Sequence, residues 1–295
     1  MNELTITGTK GDQEHKRIIN RILTEGTMDE NPRPHYKDGT PAHTISYNGE
    51  MSTYDFSKGD SPLITLRPIA VKSAIGEILW IWQDESNDLS ILENRYGVKW
   101  WRPWADRKNT IGQCYGATNK RYQLMRNLLK NLKDNPFSRR HIMSLWQEPD
   151  LHEPHGLDPC AFMTMWNVRN SKEDEKIKYL DMTLCIRSSD FCTAFVINVM
   201  QYAVLMHMVA AHCAYIPGKM NVFIQNVHIY DRHIEAAKEL ISREPIACKP
   251  QIKLNPYIND FYSFTQKDVY ILGYPMDEIK LKNPQITIFR DEIAI

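Results

Sequence analysis

The chain has no surplus of either charge: Lys and Arg together number 36, and so do Asp and Glu. That balance removes the basic footprint of a general nucleic-acid binder and the polybasic cluster of a membrane-surface protein. An anionic ligand would have to be held by local arginines. The six cysteines, at 114, 160, 185, 192, 213 and 248, include no CxxC pair and no Cys/His zinc spacing, so no metal is expected. A chain of 295 residues can bury a large core without disulfide staples. Reduced thiols in a cytoplasmic setting are the expectation. The start, Met1-Asn2-Glu3-Leu4-Thr5, lacks the basic and apolar regions of a signal peptide. No internal repeat, low-complexity tract or linker-like stretch divides the chain, and a single domain over residues 1–295 is expected.

One run, residues 191–211, is free of Asp, Glu, Lys and Arg. It holds Asn198, Gln201 and His207, and no Lys/Arg cluster flanks it. Polar groups are costly in lipid, whereas a helix apolar all round suits the middle of a large core. The run therefore reads as a buried helix, with no membrane implied.

Periodicity supplies the other elements. Residues 11–25 place Ile18, Ile19, Ile22 and Leu23 on one helical face. Residues 31–40 are a Pro/Gly/Asn-rich loop. Strand-like runs at 44–47 and 51–54, split by Asn48-Gly49, predict a hairpin. Residues 71–83 form a strongly apolar helix with Glu77 as its lone acid, followed by a Trp-rich loop at 99–104. An amphipathic helix is predicted over 122–133, then strands over 141–146, 161–169 and 179–187. The charge run 172–176 is a solvated turn between two of these strands. After the long apolar helix come a strand at 220–230 and a helix at 232–242. Strands thus interleave with unequal helices and no regular βαβ period, which argues for an α+β domain: a mixed central sheet covered by the long helix.

Several residues can carry chemistry. A lone cysteine is most often a small core residue, but Cys160 has Arg139, Arg140 and Arg187 near the ends of the predicted strands. Cationic neighbours lower a thiol pKa, and arginine forks bind phosphate; the plain alternative for Arg139-Arg140 is a solvated surface pair. Asn198 on the apolar helix must satisfy a donor and an acceptor, which is also what a lactam edge offers. Glu77 on an apolar face should have a raised pKa suited to proton shuttling. Each of these two has a satisfied or snorkelling core residue as its alternative. His228 and Tyr230 share a strand face and can donate to a sugar hydroxyl, or can be core residues. Trp100, Trp101 and Trp104 offer stacking surface, at least one of them being expected in the core.

Taken in order, these motifs resemble the thymidylate synthase family over nearly the whole chain. The resemblance is carried by Asp38-Gly39-Thr40-Pro41-Ala42-His43-Thr44, Glu77-Ile78-Leu79-Trp80, Tyr115-Gly116, Ser138-Arg139-Arg140, Pro159-Cys160, Arg187-Ser188-Ser189-Asp190, Asn198, His228-Ile229-Tyr230 and the terminal Ala294-Ile295. It implies a three-layer α/β fold that dimerises through its sheet. It implies a pyrimidine nucleoside monophosphate and 5,10-methylenetetrahydrofolate, a reduced folate, as substrates. By the resemblance, Cys160 is the nucleophile at pyrimidine C6, Glu77 the acid/base group and Tyr115 an aid to C5 proton removal. Arg187, Ser188 and, more loosely, Arg33 match phosphate ligands. Arg139 and Arg140 match the pair that reaches across a homodimer to the neighbour's phosphate. Asn198 matches the base reader, and His228 and Tyr230 the 3′-hydroxyl contacts. Asp190, Trp101, Ala194 and Ile295 fall on the folate side.

This sequence departs from the family pattern at Thr193-Ala194-Phe195-Val196-Ile197, where Leu-Gly-Leu-Pro-Phe is common, and at Ile186, Asn226 and Arg102. The resemblance puts these positions around the substrate and folate, so they bear on how the reaction ends. Three outcomes follow: methylation of dUMP, hydroxymethylation of a pyrimidine nucleotide with water in place of hydride, or nucleotide binding without turnover. Asn198 and the terminal Ile295 favour the first over the second; Cys160, Glu77 and Tyr115 together oppose the third.

Overall fold

The longest strands of this chain find each other across long sequence gaps. The computed structural model describes residues 8–294. A six-stranded sheet has the order β1-β2-β6-β5-β4-β3, with β1 Thr27–Met28, β2 Thr44–Asp55, β3 His141–Ser144, β4 Ala161–Asn170, β5 Lys178–Asp190 and β6 Ile216–Tyr230. All pairings in it are antiparallel except β5 with β6, which is parallel. A parallel pair requires a crossover, and the apolar helix supplies it.

The helices are α1 Lys10–Glu25, α2 Val71–Trp82, α3 Leu89–Tyr96, α4 Gly116–Tyr122, α5 Leu124–Asp134, α6 Glu148–Leu151, α7 Phe195–His212, α8 Ile234–Ser242, α9 Met276–Lys282 and α10 Ile288–Asp291. A separate two-stranded ribbon pairs β7 Gln251–Leu254 with β8 Val269–Leu272. α7 packs on β5 and β6, and α2 packs on α7, giving sheet, helix and helix in layers. α7 is long and apolar enough to cross a membrane, but 72% of that stretch is buried inside the protein. It is the core helix.

Strand alternation decides which side chains meet α7. Across the sheet, Ser52, Val222, Leu184, Thr164 and Met143 lie in one row and all are buried. The neighbouring row, Met51, Phe223, Cys185, Met163 and Ser144, points to the opposite face, where Met51 is 53% exposed. Burying one Val or Leu of the first row contributes about 1.5–3 kcal/mol, which fixes the register because a one-residue slip would exchange the rows.

Two local readings need correction. Asn48-Gly49 does not turn a hairpin: β2 runs straight through it, and the pairing to β6 keeps one register on both sides. Gly49 takes φ +79°, a backbone state glycine adopts without cost, inside the strand. The long partner β6 offers more ladder bonds than a local turn does. The helix over 122–133 is also interrupted. Gln123, at φ +51°, ends α4 and begins α5.

Candidate active site

The site forms where β4 begins, β5 and β6 end, and α7 starts. Cys160 stands immediately before β4, partly exposed. Its carbonyl accepts from the Arg187 N–H at 2.9 Å, which locks it to β5. The Arg187 side chain wraps the same turn: Nε donates to the Pro159 carbonyl at 3.0 Å and Nη2 to that of Asp158 at 2.8 Å. Nη2 also lies 3.8 Å from the Cys160 Sγ. Burial pushes the Cys160 thiol up; the Arg187 and Arg33 charges oppose this, and Asp158 adds to it. The anticipated lowering by arginines is therefore present but outweighed by desolvation, so the resting group is the thiol.

Arg139 and Arg140 are not among those arginines. Both are exposed at the start of the edge strand β3, and neither forms an ion pair among the described residues. The expectation that they help activate the thiol of their own chain is not met, because β3 runs antiparallel to β4 with His141 opposite Trp166, which sets the two arginines at the far end of β4 from Cys160. Arg33 is exposed in the loop before β2, yet its charge acts at Cys160 and at Tyr230. Ser188 is half-buried next to Arg187, paired with Asn226 of β6.

Tyr115 precedes α4 at φ +48°, a strained state for a non-glycine residue that costs on the order of 1–3 kcal/mol. The next residue shows what holds it there. A Cβ on Gly116 would stand 2.1 Å from the Ser86 carbonyl oxygen, so only glycine fits this approach. The strained turn delivers the Tyr115 hydroxyl to the Cys160 backbone N–H, which donates to it at 3.2 Å. Burial holds the phenol well above its ordinary pKa, and the adjacent Cys160 adds to this.

Glu77 is buried on α2 and accepts three hydrogen bonds: from Trp101 Nε1 at 2.5 Å, Gln201 Nε2 at 2.6 Å and Trp100 Nε1 at 3.1 Å. Desolvation still raises its pKa against all three donors. Trp101, 8% exposed, meets the edges of Trp104 and Tyr115, so it is one of the tryptophans that packs; Trp100 is 36% exposed. Gln201 was noted in the sequence only as a polar group on an apolar helix. It joins Glu77 to Asn198, whose Nδ2 donates to Gln201 Oε1 at 3.2 Å. The signal was there: a second amide three residues after the first lies on the same helix face.

At the other end of the site, Asp190 of β5 pairs with His228 of β6. Asp190 Oδ2 accepts from the Thr193 hydroxyl at 2.5 Å, while its Oδ1 is buried with no hydrogen-bond partner among the described residues. His228 Nδ1 lies 2.9 Å from Asn226 Oδ1, and Asn226 Nδ2 donates to Asn48. Burial lowers the His228 pKa, so the ring is neutral. With Nδ1–H given to Asn226, Nε2 is an acceptor, and a hydroxyl would donate to it rather than accept from it. The Tyr230 ring lies 5.4 Å from that of His228, edge to face. Ala194 is exposed at the cap of α7 with φ −80° and ψ −36°, so no glycine is required there. Arg67, which the sequence did not single out, is buried and donates to the Cys192 carbonyl at 2.7 Å, holding the turn before α7. Ile295 lies outside the described residues.

A buried acid on one wall, an amide fixed to it, and a cysteine inside an arginine-wrapped turn make a site for covalent chemistry on a planar, anionic substrate. The sequence model of thymidylate synthase matches residues 13–284. The chain belongs to the thymidylate synthase family. A thymidylate synthase of Streptococcus gordonii is 46% identical over 276 residues, covering 93% of this chain and 98% of the relative. A thymidylate synthase of Lactococcus lactis subsp. cremoris is 44% identical over 275 residues, with the same coverage. Among solved structures, the thermostable thymidylate synthase A from Bacillus subtilis superposes with a TM-score of 0.82 at 34% identity, covering 97% of this chain and 99% of that one. The thymidylate synthase fold, a mixed sheet layered with helices, is therefore the fold of this chain, and the chain is a methyltransferase of that family.

Proposed function

We propose that the protein converts dUMP to dTMP with 5,10-methylenetetrahydrofolate as co-substrate, beginning with attack of Cys160 on pyrimidine C6. The observation that carries this reading is the Arg187-wrapped turn, which sets the Cys160 Sγ 3.8 Å from Nη2 and presents a cation to a substrate phosphate. Arg187, Ser188 and Arg33 supply the phosphate contacts from this chain. Asn198 reads the uracil edge. Tyr230 and the neutral His228 take the 3′-hydroxyl. Tyr115, held as a phenol by burial, passes the C5 proton onward, and Glu77, its pKa raised by burial, is suited to proton transfer near the base.

The folate supplies, when bound, the one-carbon unit and the hydride. Asp190 suits its binding, because Oδ1 is a buried acceptor that no donor among the described residues uses. Trp101 and Ala194, together with Ile295, complete the folate side of the proposal. A homodimer is supported by the second sheet face, where Met51 is 53% exposed and Phe223 and Met163 are only partly buried. Arg139 and Arg140, exposed and unpaired by side chains, then serve the phosphate site of the second copy. The six cysteines are free thiols, in keeping with a cytoplasmic setting.

The test is product identity. The protein is incubated with dUMP, dCMP or CMP and methylenetetrahydrofolate, and the C5 substituent and folate product are identified. Methyl on dUMP with dihydrofolate supports the proposal. A hydroxymethyl product with tetrahydrofolate overturns it, as does binding without turnover.

A further inference from the structure

One arginine joins two segments that border the site from opposite ends of the chain. Arg232 follows Tyr230 by two residues. Its Nη2 donates to Asp38 Oδ2 and to Thr40 Oγ1, both at 2.7 Å. Its Nη1 donates to Glu292 Oε2 at 2.7 Å. The guanidinium lies over the Tyr36 ring, with Cζ 3.9 Å from the centroid.

Each segment has its own internal order. In the loop after Arg33, the Tyr36 N–H donates to the Thr40 carbonyl at 2.9 Å and the Ala42 N–H to that of Pro34 at 3.0 Å. The Tyr36 hydroxyl donates to Asp231. In α10 and just after it, the Arg290 N–H donates to the Thr287 carbonyl at 2.9 Å and the Glu292 N–H to that of Ile288 at 3.0 Å. The two segments also meet directly. Tyr36, Ala42 and Ala294 form a small buried cluster, against which Tyr230 packs.

We propose that Arg232 is a positioning residue that binds the 34–42 loop and the 288–294 segment into one unit beside Tyr230, so that the loop carrying Arg33 and the final helix are set together. An isolated surface ion pair fixes little. A planar fork shared by two carboxylates and a hydroxyl, with an aromatic ring beneath it, is a different case: its donors are pre-aligned, and releasing one segment loosens the grip on the other. The functional side of this inference rests on the proposed nucleotide site; the mechanical coupling does not.

The experiment combines hydrogen exchange with kinetics on the full chain. In Glu292→Gln, whose altered side chain accepts from Arg232, the Tyr36 and Ala42 amides should exchange about three times faster. In Asp38→Asn, the Arg290 and Glu292 amides should do the same. Arg232→Ala should speed exchange about tenfold in both segments and raise the KM for dUMP and for the folate more than it lowers kcat. Arg232→Lys, able to reach one partner at a time, should fall between. If Glu292→Gln leaves the loop amides unchanged and Asp38→Asn leaves the helix amides unchanged, the coupling is refuted, even where melting temperatures fall. Unchanged KM values in Arg232→Ala would refute the positioning role. Failure of the unaltered protein to turn over dUMP would count against the proposed function alone, since the exchange measurement does not depend on turnover.

Discussion

Replacing Gln201 with methionine tests how the base is read. Gln201 is 2% exposed and methionine nearly matches its volume, so packing should cost less than about 1.5 kcal/mol. The substitution removes two bonds: the one Gln201 donates to Glu77 at 2.6 Å and the one it accepts from Asn198 at 3.2 Å. The first commits the Gln201 amide nitrogen to a carboxylate, which commits its oxygen to Asn198. Asn198 must therefore turn its Nδ2 towards Gln201 and keep Oδ1, with the second N–H, for the base. In the proposed complex, that arrangement accepts from uracil N3–H and donates to O4. A flipped Asn198 would suit cytosine, but it would set Oδ1 against the Gln201 oxygen and forfeit a bond. The penalty is about 1–3 kcal/mol, or roughly 5- to 150-fold in discrimination. The assay is kcat/KM for dUMP together with the inhibition constant of dCMP. The ratio should fall by that factor in Gln201→Met. Loss of a donor should also raise the Glu77 pKa further and move the carboxylate limb of the pH profile upward. An unchanged dUMP/dCMP ratio with an unmoved limb would refute the orientation argument.

Cys160→Ser should reduce turnover by at least about a thousandfold while dUMP still binds, because a serine hydroxyl is a weak nucleophile at neutral pH; near-normal turnover would exclude the covalent route. Arg187→Ala removes a cation that lowers the thiol pKa. The thiolate limb should then move to higher pH, and alkylation of Cys160 by iodoacetamide at fixed pH should slow; faster alkylation would contradict the assignment. Gly116→Ala forces a methyl onto the Ser86 backbone. It should destabilise the fold by about 3 kcal/mol, seen as a lower denaturation midpoint with an unchanged m-value. A variant as stable as the parent would mean that the turn relaxes. Mixing Cys160→Ser with an Arg139→Ala/Arg140→Ala chain should restore activity through hybrid dimers; no recovery would refute the shared phosphate site.

The order of elements and most side chains of the candidate site were legible because they depend on local pattern. The buried helix announced itself by lacking charge, and Glu77 and Asn198 by being polar where their neighbours are not. The errors came where distant partners override local chemistry. Asn48-Gly49 reads as a hairpin turn until β6 is available to pair with both halves of β2. Arg139 and Arg140 read as neighbours of Cys160 until the antiparallel pairing of β3 with β4 sets them at the opposite end of β4. Gln201 looked like an ordinary polar residue because its importance lies in a bond to Glu77, 124 residues away in sequence. Arg232 was equally silent, since its partners Asp38 and Glu292 lie 194 and 60 residues away.

The position of β2 in the sheet also sets a clock on how the protein is made. Among the described residues, and apart from the two-residue β1, β2 pairs only with β6: Thr53 bonds to Asn221 across 168 residues, and Asn48 is reached from Asn226 across 178. A growing chain that has released β2 must carry an unpaired strand, with Met51 and Tyr54 uncovered, until most of the remaining sequence has emerged. Closing so long a loop is slow, and open strand edges invite wrong partners. Early chains should therefore depend on holding chaperones, and truncation before residue 216 should yield aggregates rather than a smaller folded domain.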